Sequence, residues 1–175
     1  MNTPNMNFAK RFVDWLARDE SITYQTFDDD SKRKDKRLAK VLHGTLDEHG
    51  PTLVRLNGEG AGVFVTINQT DGKARTTANI IRVRALFVDL DDAPIEPVLR
   101  HVVPPGIVIE SSPDRFHAYW LTDDCPLDQF KSAQQRLIKQ FNGDKSVCDL
   151  PRVMRLPGFI HQKAEPFMTR IIFPE

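Results

Sequence analysis

The chain has 175 residues and carries 24 basic and 24 acidic side chains, so its formal net charge is zero. This balance excludes a generic polyanion binder, because non-specific affinity for nucleic acid rises with the number of phosphates that a protein neutralises. Two cysteines are too few for a disulfide framework or a zinc site, and no apolar run approaches the length of a membrane span. The start MNTPNMNFAKRF also lacks the apolar core of a signal peptide, so we expect a cytoplasmic protein.

The first half of the chain is expected to alternate between helices and strands. Helices are predicted over Asn7–Arg18, from Leu38 to about Gly50, and over Thr76–Val83. Strands are predicted over Ile22–Phe27, Leu53–Leu56 and Val63–Ile67. The glycine-rich segment 57–62 fits a hairpin loop better than a phosphate-binding loop. The helix over 76–83 would direct Arg82 and Arg84 toward the strand that follows.

The second half follows the order strand, helix, strand, strand, helix, strand. The strands are expected over Ala85–Leu90, Ile107–Glu110, Arg115–Leu121 and, at the sheet edge, Phe167–Phe173. The helices are expected over Pro94–Val103 and from Pro126 to Gly143. This is the order of a ferredoxin-like or RRM-like antiparallel sheet with helices on one face. We therefore predict one α+β domain over 1–175, with a mixed α/β lobe at 1–84 and an RRM-like lobe at 85–175 whose central strand is Ala85–Leu90.

Two acids follow the apolar run of that strand. Because side chains alternate along a strand, Asp89 and Asp91 project from one face, with Cα atoms roughly 6–7 Å apart. Two carboxylates that close repel each other unless a cation lies between them. Oxygen-preferring Mg²⁺ or Mn²⁺ would fit, and the alternative is a polar strand end with two solvated acids.

Basic residues further along the chain suit a phosphate ligand. His117 lies in a predicted strand next to the one with the acids, although a lone strand histidine is more often a satisfied core residue. Arg152 and Arg155 carry planar guanidinium groups, which bind phosphate oxygens in pairs and stay charged. Alternatively, the two arginines form ion pairs with Asp144 and Asp149.

One local basic patch, Ser31–Arg37, could contact nucleic acid despite the neutral composition, or it could be a solvated helix start. The acids just before it, Asp28–Asp30, are interpreted as residues favoured by the dipole of that helix rather than as a second metal cluster.

The order of three segments, FVDLDD, SSPDRFHAYW and GDKSVCDLPRVMRLPGFIHQK, resembles the archaeo-eukaryotic primase superfamily. The likeness is greatest to the RepB-like primase and primase-polymerase domains of plasmids, phages and other mobile elements. Together with FVTINQTDG, the similar segments cover most of residues 60–163. The resemblance implies DNA-templated nucleotidyl transfer that starts or extends a strand, with two Mg²⁺ or Mn²⁺ ions.

The resemblance also assigns metal ligands. Asp89 and Asp91 match the family's pair of catalytic carboxylates, and a third acid completes the site. We predict Asp144 for this role, because the family's third acid stands well upstream of the arginine pair. Asp149, the alternative, is close enough in sequence to pair with Arg152 instead.

The nucleotide-binding residues follow in the same way. His117 matches the histidine that contacts the phosphates of the incoming nucleotide, and Arg152, Arg155 and Lys163 match the basic residues that hold the triphosphate. Arg115, on the same strand face as His117, is expected to join them. The implied partners are a single-stranded DNA template, nucleoside triphosphates, and a helicase or helical primase domain.

Two other functions are alternative interpretations of the same residues. A phosphohydrolase of the haloacid dehalogenase type also has an apolar strand that ends in D-x-D, but near its N-terminus. A non-catalytic RRM-like binder of single strands would need exposed aromatic residues on its sheet. Phe116, Ala118 and Trp120 share a strand face, although burial against helices explains them better.

Overall fold

The computed structural model describes residues 3–18 and 20–174 of the chain. Its helices are α1 (Met6–Ala17), α2 (Leu46–Gly58), α3 (Glu96–Leu99) and α4 (Leu127–Phe141). Its strands up to residue 90 are β1 (Ile22–Asp28), β2 (Lys40–Gly44), β3 (Ala61–Thr66), β4 (Gln69–Thr70), β5 (Ile80–Arg82) and β6 (Ala85–Leu90). The later strands are β7 (Ile107–Ser112), β8 (Arg115–Leu121), β9 (Val153–Arg155), β10 (Ile160–His161), β11 (Phe167–Met168) and β12 (Arg170–Phe173). Over these described ranges, no helix is long and apolar enough to span a membrane.

The first sheet has the antiparallel order β2-β1-β3-β9. One face is buried by residues such as Tyr24, Val65 and Met154, while the other leaves Phe27 and Val41 exposed. Strand β9 comes from the second half of the chain, so this sheet draws on both sides of residue 84. The lobe boundary after residue 84 stays a prediction.

The second sheet has the order β12-β7-β8-β6, again antiparallel, which confirms the mixed α+β fold class. Strand β6 lies at the edge and not in the centre, because the last strand pairs with β7 and not with β6. A side chain from α4 covers the open edge: the Phe87 N–H donates to Gln134 Oε1 over 3.2 Å, and the Gln134 amide donates back to the Phe87 carbonyl. Burial of the edge explains why β6 is apolar enough to resemble a central strand.

Two predicted helices and one predicted strand were wrong. Of the helix expected from Leu38 to Gly50, Leu38 ends a 3₁₀ helix and Lys40–Gly44 is strand β2; a helix begins only after Thr45, whose side chain forms a capping box with Glu48. This helix, α2, continues through Pro51 and includes Leu53–Leu56, which was expected to be a strand. Residues 76–83 form a 3₁₀ turn followed by β5. Two other elements differ in extent from the prediction. Helix α3 covers only part of 94–103, and the strand expected over 167–173 is split into β11 and β12.

The arginines at 82 and 84 also differ from expectation. Both guanidinium groups bind the Glu20 carboxylate, at 2.7 Å and 3.0 Å. Their acidic partner is therefore Glu20 and not Asp89 or Asp91. Arg84 is buried there and ties the end of α1 to the start of β6.

The largest apolar cluster lies between the two sheets. Phe12 of α1 contacts Tyr119 of β8 edge-on, with ring centroids 5.3 Å apart, and Phe87 packs against Tyr119 and Phe130. Residues of both sheets belong to this cluster, so the two sheets share one core.

Candidate active site

Three acids converge where β6 ends. Asp89 is in the strand, Asp91 follows it, and Asp144 lies in the turn after α4; each offers a carboxylate oxygen within 4.8 Å of the others. The backbone sets this approach, since the Asp144 N–H donates to the Asp89 carbonyl over 2.8 Å. A Cβ at Gly143 would lie 3.0 Å from that same carbonyl, so a larger residue there would push the turn away from Asp89 by a few tenths of an ångström.

The cluster is electrostatically strained without a cation. Burial first, and then Asp91 and Asp144, raise the pKa of Asp89 from 3.8 to about 7. Its Oδ1 is buried and has no hydrogen-bond partner in the described part of the chain. Asp144 is held in place by the Ser146 N–H at 2.8 Å and the Ser146 hydroxyl at 2.9 Å. An orphaned carboxylate oxygen in an all-oxygen cluster fits Mg²⁺ or Mn²⁺.

His117 faces Asp89 directly across the β6–β8 pair, with Nε2 3.7 Å from Oδ1. Burial, together with Arg155 and His161, lowers the pKa of His117 to about 3, so the ring is neutral. Its Nδ1 lies 3.2 Å from the Tyr119 hydroxyl, and burial raises the pKa of Tyr119 well above its usual value. Because an ionised Asp89 carboxylate can only accept, we assign the ring proton to Nε2, which faces Asp89, and the Tyr119 hydroxyl then donates a hydrogen bond to Nδ1.

A cavity of about 180 Å³ opens beside the acids. Six of the residues predicted from the sequence line it: Asp89, Asp91, Arg115, His117, Arg155 and Lys163. Arg115 lies 3.5 Å from the Asp91 carboxylate, and Arg155 and Lys163 are the other cationic groups that line the cavity. A cavity lined by both acidic and cationic groups suits a metal-bound polyphosphate.

Arg155 is fixed by a residue that the sequence analysis misinterpreted. Its guanidinium binds the buried Asp29 carboxylate through two hydrogen bonds, of 2.8 Å and 3.1 Å, and lies 4.7 Å above the Phe64 ring. Asp29 Oδ2 also accepts the Gln162 N–H at 2.9 Å. A Cβ at Gly62 would lie 2.9 Å from Arg155 Nη1, so a bare backbone is needed beside the pair. The interpretation of Asp29 as a helix-start acid was wrong.

The basic patch 31–37 is also not a helix start. It forms turns and a 3₁₀ helix at Lys36–Leu38. Two of its arginines form local ion pairs, Arg33 with Asp28 and Arg37 with Asp35. Its lysines are exposed at the rim of the first sheet.

The RepB DNA-primase N-terminal domain family matches residues 51–170, which is more than half of the chain. The chain belongs to this family. The match agrees with the resemblance seen in the sequence and leaves the phosphohydrolase alternative without support.

Solved structures show the same fold as this RepB primase-type domain. The AEP domain of the cyanophage S-2L primase-polymerase is 20% identical, with a TM-score of 0.78 over 99% of this chain and 92% of that one. The catalytic domain of primase RepB′ in complex with initiator DNA is 18% identical, with a TM-score of 0.64 over 95% of this chain and 83% of that one. No curated protein sequence matches the chain.

Three of the predicted residues, Asp144, Asp149 and Arg152, do not line the cavity of this RepB primase-type domain, although Asp144 belongs to the acid cluster beside it. Arg152 donates from Nε to Asp149 at 2.7 Å and from its terminal nitrogen to the Ser146 carbonyl. Asp149 is thereby paired and is not one of the three clustered acids, whereas Asp144 is. The metal-ligand and nucleotide-binding roles themselves stay predictions.

The aromatic residues of β8 do not form a stacking surface. Trp120 stacks on Phe141 of α4, with ring centroids 5.6 Å apart, and donates its indole N–H to the Val103 carbonyl. Phe116 and Ala118 belong to the same apolar cluster. The expectation of burial against a helix is confirmed.

Sequence reasoning missed three polar contributors to the cavity. Ser111 and Ser112 are at the end of β7, and His161 is in β10. His161 stood within a quoted motif, GFIHQK, yet no spacing rule linked it to the acids.

Proposed function

We propose that this chain is the catalytic domain of a metal-dependent, DNA-templated nucleotidyltransferase, a primase or primase-polymerase that serves replication of a mobile element. The observation that carries the proposal is the cluster of three carboxylates beside a cavity that Arg115, Arg155 and Lys163 also line. Membership of the RepB primase family supports the same reaction class.

Asp89, Asp91 and Asp144 are the residues that would hold the divalent ions. The unpartnered Asp89 Oδ1 and the mutual repulsion of the three acids support a cation at this position. When bound, two such ions supply activation of a strand's 3′-hydroxyl and stabilisation of the departing pyrophosphate.

The basic residues of the cavity would hold the triphosphate of the incoming nucleotide. His117 donates from Nε2 as a neutral ring, so it orients a phosphate oxygen without adding charge. Arg155 presents a guanidinium that Asp29 holds in one orientation, and Arg115 and Lys163 add positive charge from the rim. Because all four groups donate and none accepts, they select an anion with many oxygens.

The template is proposed to be single-stranded DNA on the open face of the first sheet. Phe27 is 39% and Val41 is 44% exposed there, and the Phe27 ring lies 5.7 Å from that of Phe64, which lines the cavity. Exposed lysines of the patch 31–37 border this face. Aromatic rings that stack bases, together with lysines that meet the backbone, are typical of single-strand binding. A helicase or helical primase domain remains a predicted partner.

The test is template-directed incorporation with Mg²⁺ or Mn²⁺. The wild type should extend or start a strand, and Asp91→Asn should reduce the rate at least a hundredfold because a carboxylate ligand is lost. Asp92→Asn is the matched control, since Asp92 is exposed and outside the cluster. Nucleotide incorporation that needs no template, or equal activity of Asp91→Asn and Asp92→Asn, would contradict the proposal.

A further inference from the structure

His161 has one ring nitrogen fixed and the other unused. It lies in β10 and lines the same cavity, and its Nδ1 is 3.0 Å from the Ser111 carbonyl. Its Nε2 is buried and has no hydrogen-bond partner within residues 3–18 and 20–174. The function proposed above gives this residue no role.

The Ser111 contact decides the tautomer of the ring. A carbonyl oxygen only accepts, so Nδ1 carries the proton and donates it. In the neutral ring Nε2 is then a bare acceptor on a residue that lines the same cavity as Arg155 and Lys163. This is the opposite of His117, whose Nδ1 accepts from Tyr119 and whose Nε2 carries the proton.

The groups around His161 favour its neutral ring. Burial first, then Arg155 on β9 and, more weakly, Lys163, lower the pKa of His161, and His117 on β8 is a neutral neighbour. Asp29 raises the pKa, but its carboxylate is already engaged by Arg155 and by a backbone N–H. The negative charge of a polyphosphate beside the ring would instead raise the pKa of His161.

We propose that His161 is a second histidine that holds the triphosphate: as the phosphates enter, Nε2 takes up one proton from solvent, keeps it, and donates a hydrogen bond through it to a non-bridging phosphate oxygen. This inference rests on the proposed function, because it requires that the cavity holds a triphosphate. The two histidines then contact one anion in different states, His117 as a neutral donor and His161 as a cation. Triphosphate binding should therefore tighten as the pH falls from 8.5 toward the pKa of His161.

The direct test is nitrogen-15 NMR of the histidine rings in the full chain, with inorganic triphosphate and EDTA at about pH 8. In the free protein, His161 should show a protonated Nδ1 and a bare Nε2. At saturation with triphosphate both nitrogens should be protonated, while His117 keeps a proton on Nε2 only. A bare Nε2 at saturation would overturn the inference, as would a signal change with a deoxynucleoside triphosphate but not with inorganic triphosphate, which would indicate a sugar hydroxyl.

Affinity measurements provide a second, independent readout. His161→Ala should weaken inorganic triphosphate binding about ten- to a hundredfold, the range expected for a charged hydrogen bond. Calorimetry in two buffers should show that the wild type takes up about one proton more than His161→Gln, in which the amide N–H keeps part of the affinity. His101→Gln, a change at a half-buried histidine that does not line the cavity, should match the wild type. Unchanged affinity in His161→Ala would contradict the inference.

These measurements need no catalysis, so the two ideas fail separately. If His161 takes up a proton but the chain does not copy a template, the proposed function is contradicted and this inference is not. If the chain copies a template but His161 stays neutral with triphosphate bound, this inference is contradicted and the proposed function is not.

Discussion

Replacing Asp89 with asparagine tests the acid cluster through stability as well as activity. The pKa of Asp89 is raised from 3.8 to about 7 by burial and by its two acidic neighbours. The folded protein thus binds this proton more tightly than the unfolded chain. The resulting stability is full below about pH 4 and is lost as the pH rises through about 7.

The magnitude follows from the pKa difference. Each pKa unit is worth about 1.4 kcal/mol, so the step from 3.8 to about 7 corresponds to about 4 kcal/mol lost by the metal-free protein at pH 8.5. Asparagine carries no charge at any pH and escapes this loss. Asp89→Asn should therefore be more stable than the wild type at pH 8.5, by up to about 4 kcal/mol. From pH 5.5 to 8.5 its advantage should widen by about 2 kcal/mol, since the wild type loses stability until about pH 7.

Urea denaturation in EDTA at pH 5.5 and 8.5 measures this difference, with Asp92→Asn as the control that should show no widening. Adding Mn²⁺ at a hundred times its dissociation constant should stabilise the wild type by about 2.7 kcal/mol and the variant much less. Activity should be abolished in Asp89→Asn. If the variant is no more stable than the wild type at pH 8.5 without metal, the carboxylates do not repel one another and the argument for a metal site there is refuted.

Three further changes test the remaining parts of the site. Asp144→Ala should remove metal-dependent incorporation, whereas Asp149→Ala should retain it with a higher nucleotide requirement; the reverse result would make Asp149 the ligand. Asp29→Ala leaves Arg155 as an unpaired buried cation and should lower the free energy of unfolding by about 3–5 kcal/mol; a loss below about 1 kcal/mol in urea titration would show that the pair is solvated. Phe27→Ala should weaken binding of an oligodeoxythymidylate by about 1–3 kcal/mol in fluorescence anisotropy and leave triphosphate affinity unchanged; equal DNA affinity would remove the template from that sheet face.

Several parts of the fold were predictable because they depend on neighbours in the chain. The helix over 6–17, the hairpin of β7 and β8 and the long helix α4 follow from apolar periodicity and turn residues. Strand alternation similarly placed Asp89 with Asp91 and His117 with Arg115. These features are set within a few residues, so the order of the motifs was enough to indicate the primase family.

Two of the errors lie where a long-range contact overrides local preference. Gln134 covers the edge of β6, so an apolar edge strand resembles a central one. The start of helix α2 is a local capping box of Thr45 and Glu48 that the sequence analysis overlooked, whereas the helix continues through Pro51 because its apolar residues face the core. A propensity argument has no access to either partner.

Two features of the site, the Asp29–Arg155 pair and the environment of His161, depended entirely on tertiary structure. Asp29 and Arg155 are 126 positions apart, and the spacing of neither predicts the pair. His161 is recognised as a candidate phosphate ligand only in the fold, which places the Ser111 carbonyl beside Nδ1 and makes the residue part of the cavity lining. The chain's local pattern determines which residues share a strand face. Which buried charge meets which partner is decided only when the two sheets pack, because burial is what makes an unpaired charge costly.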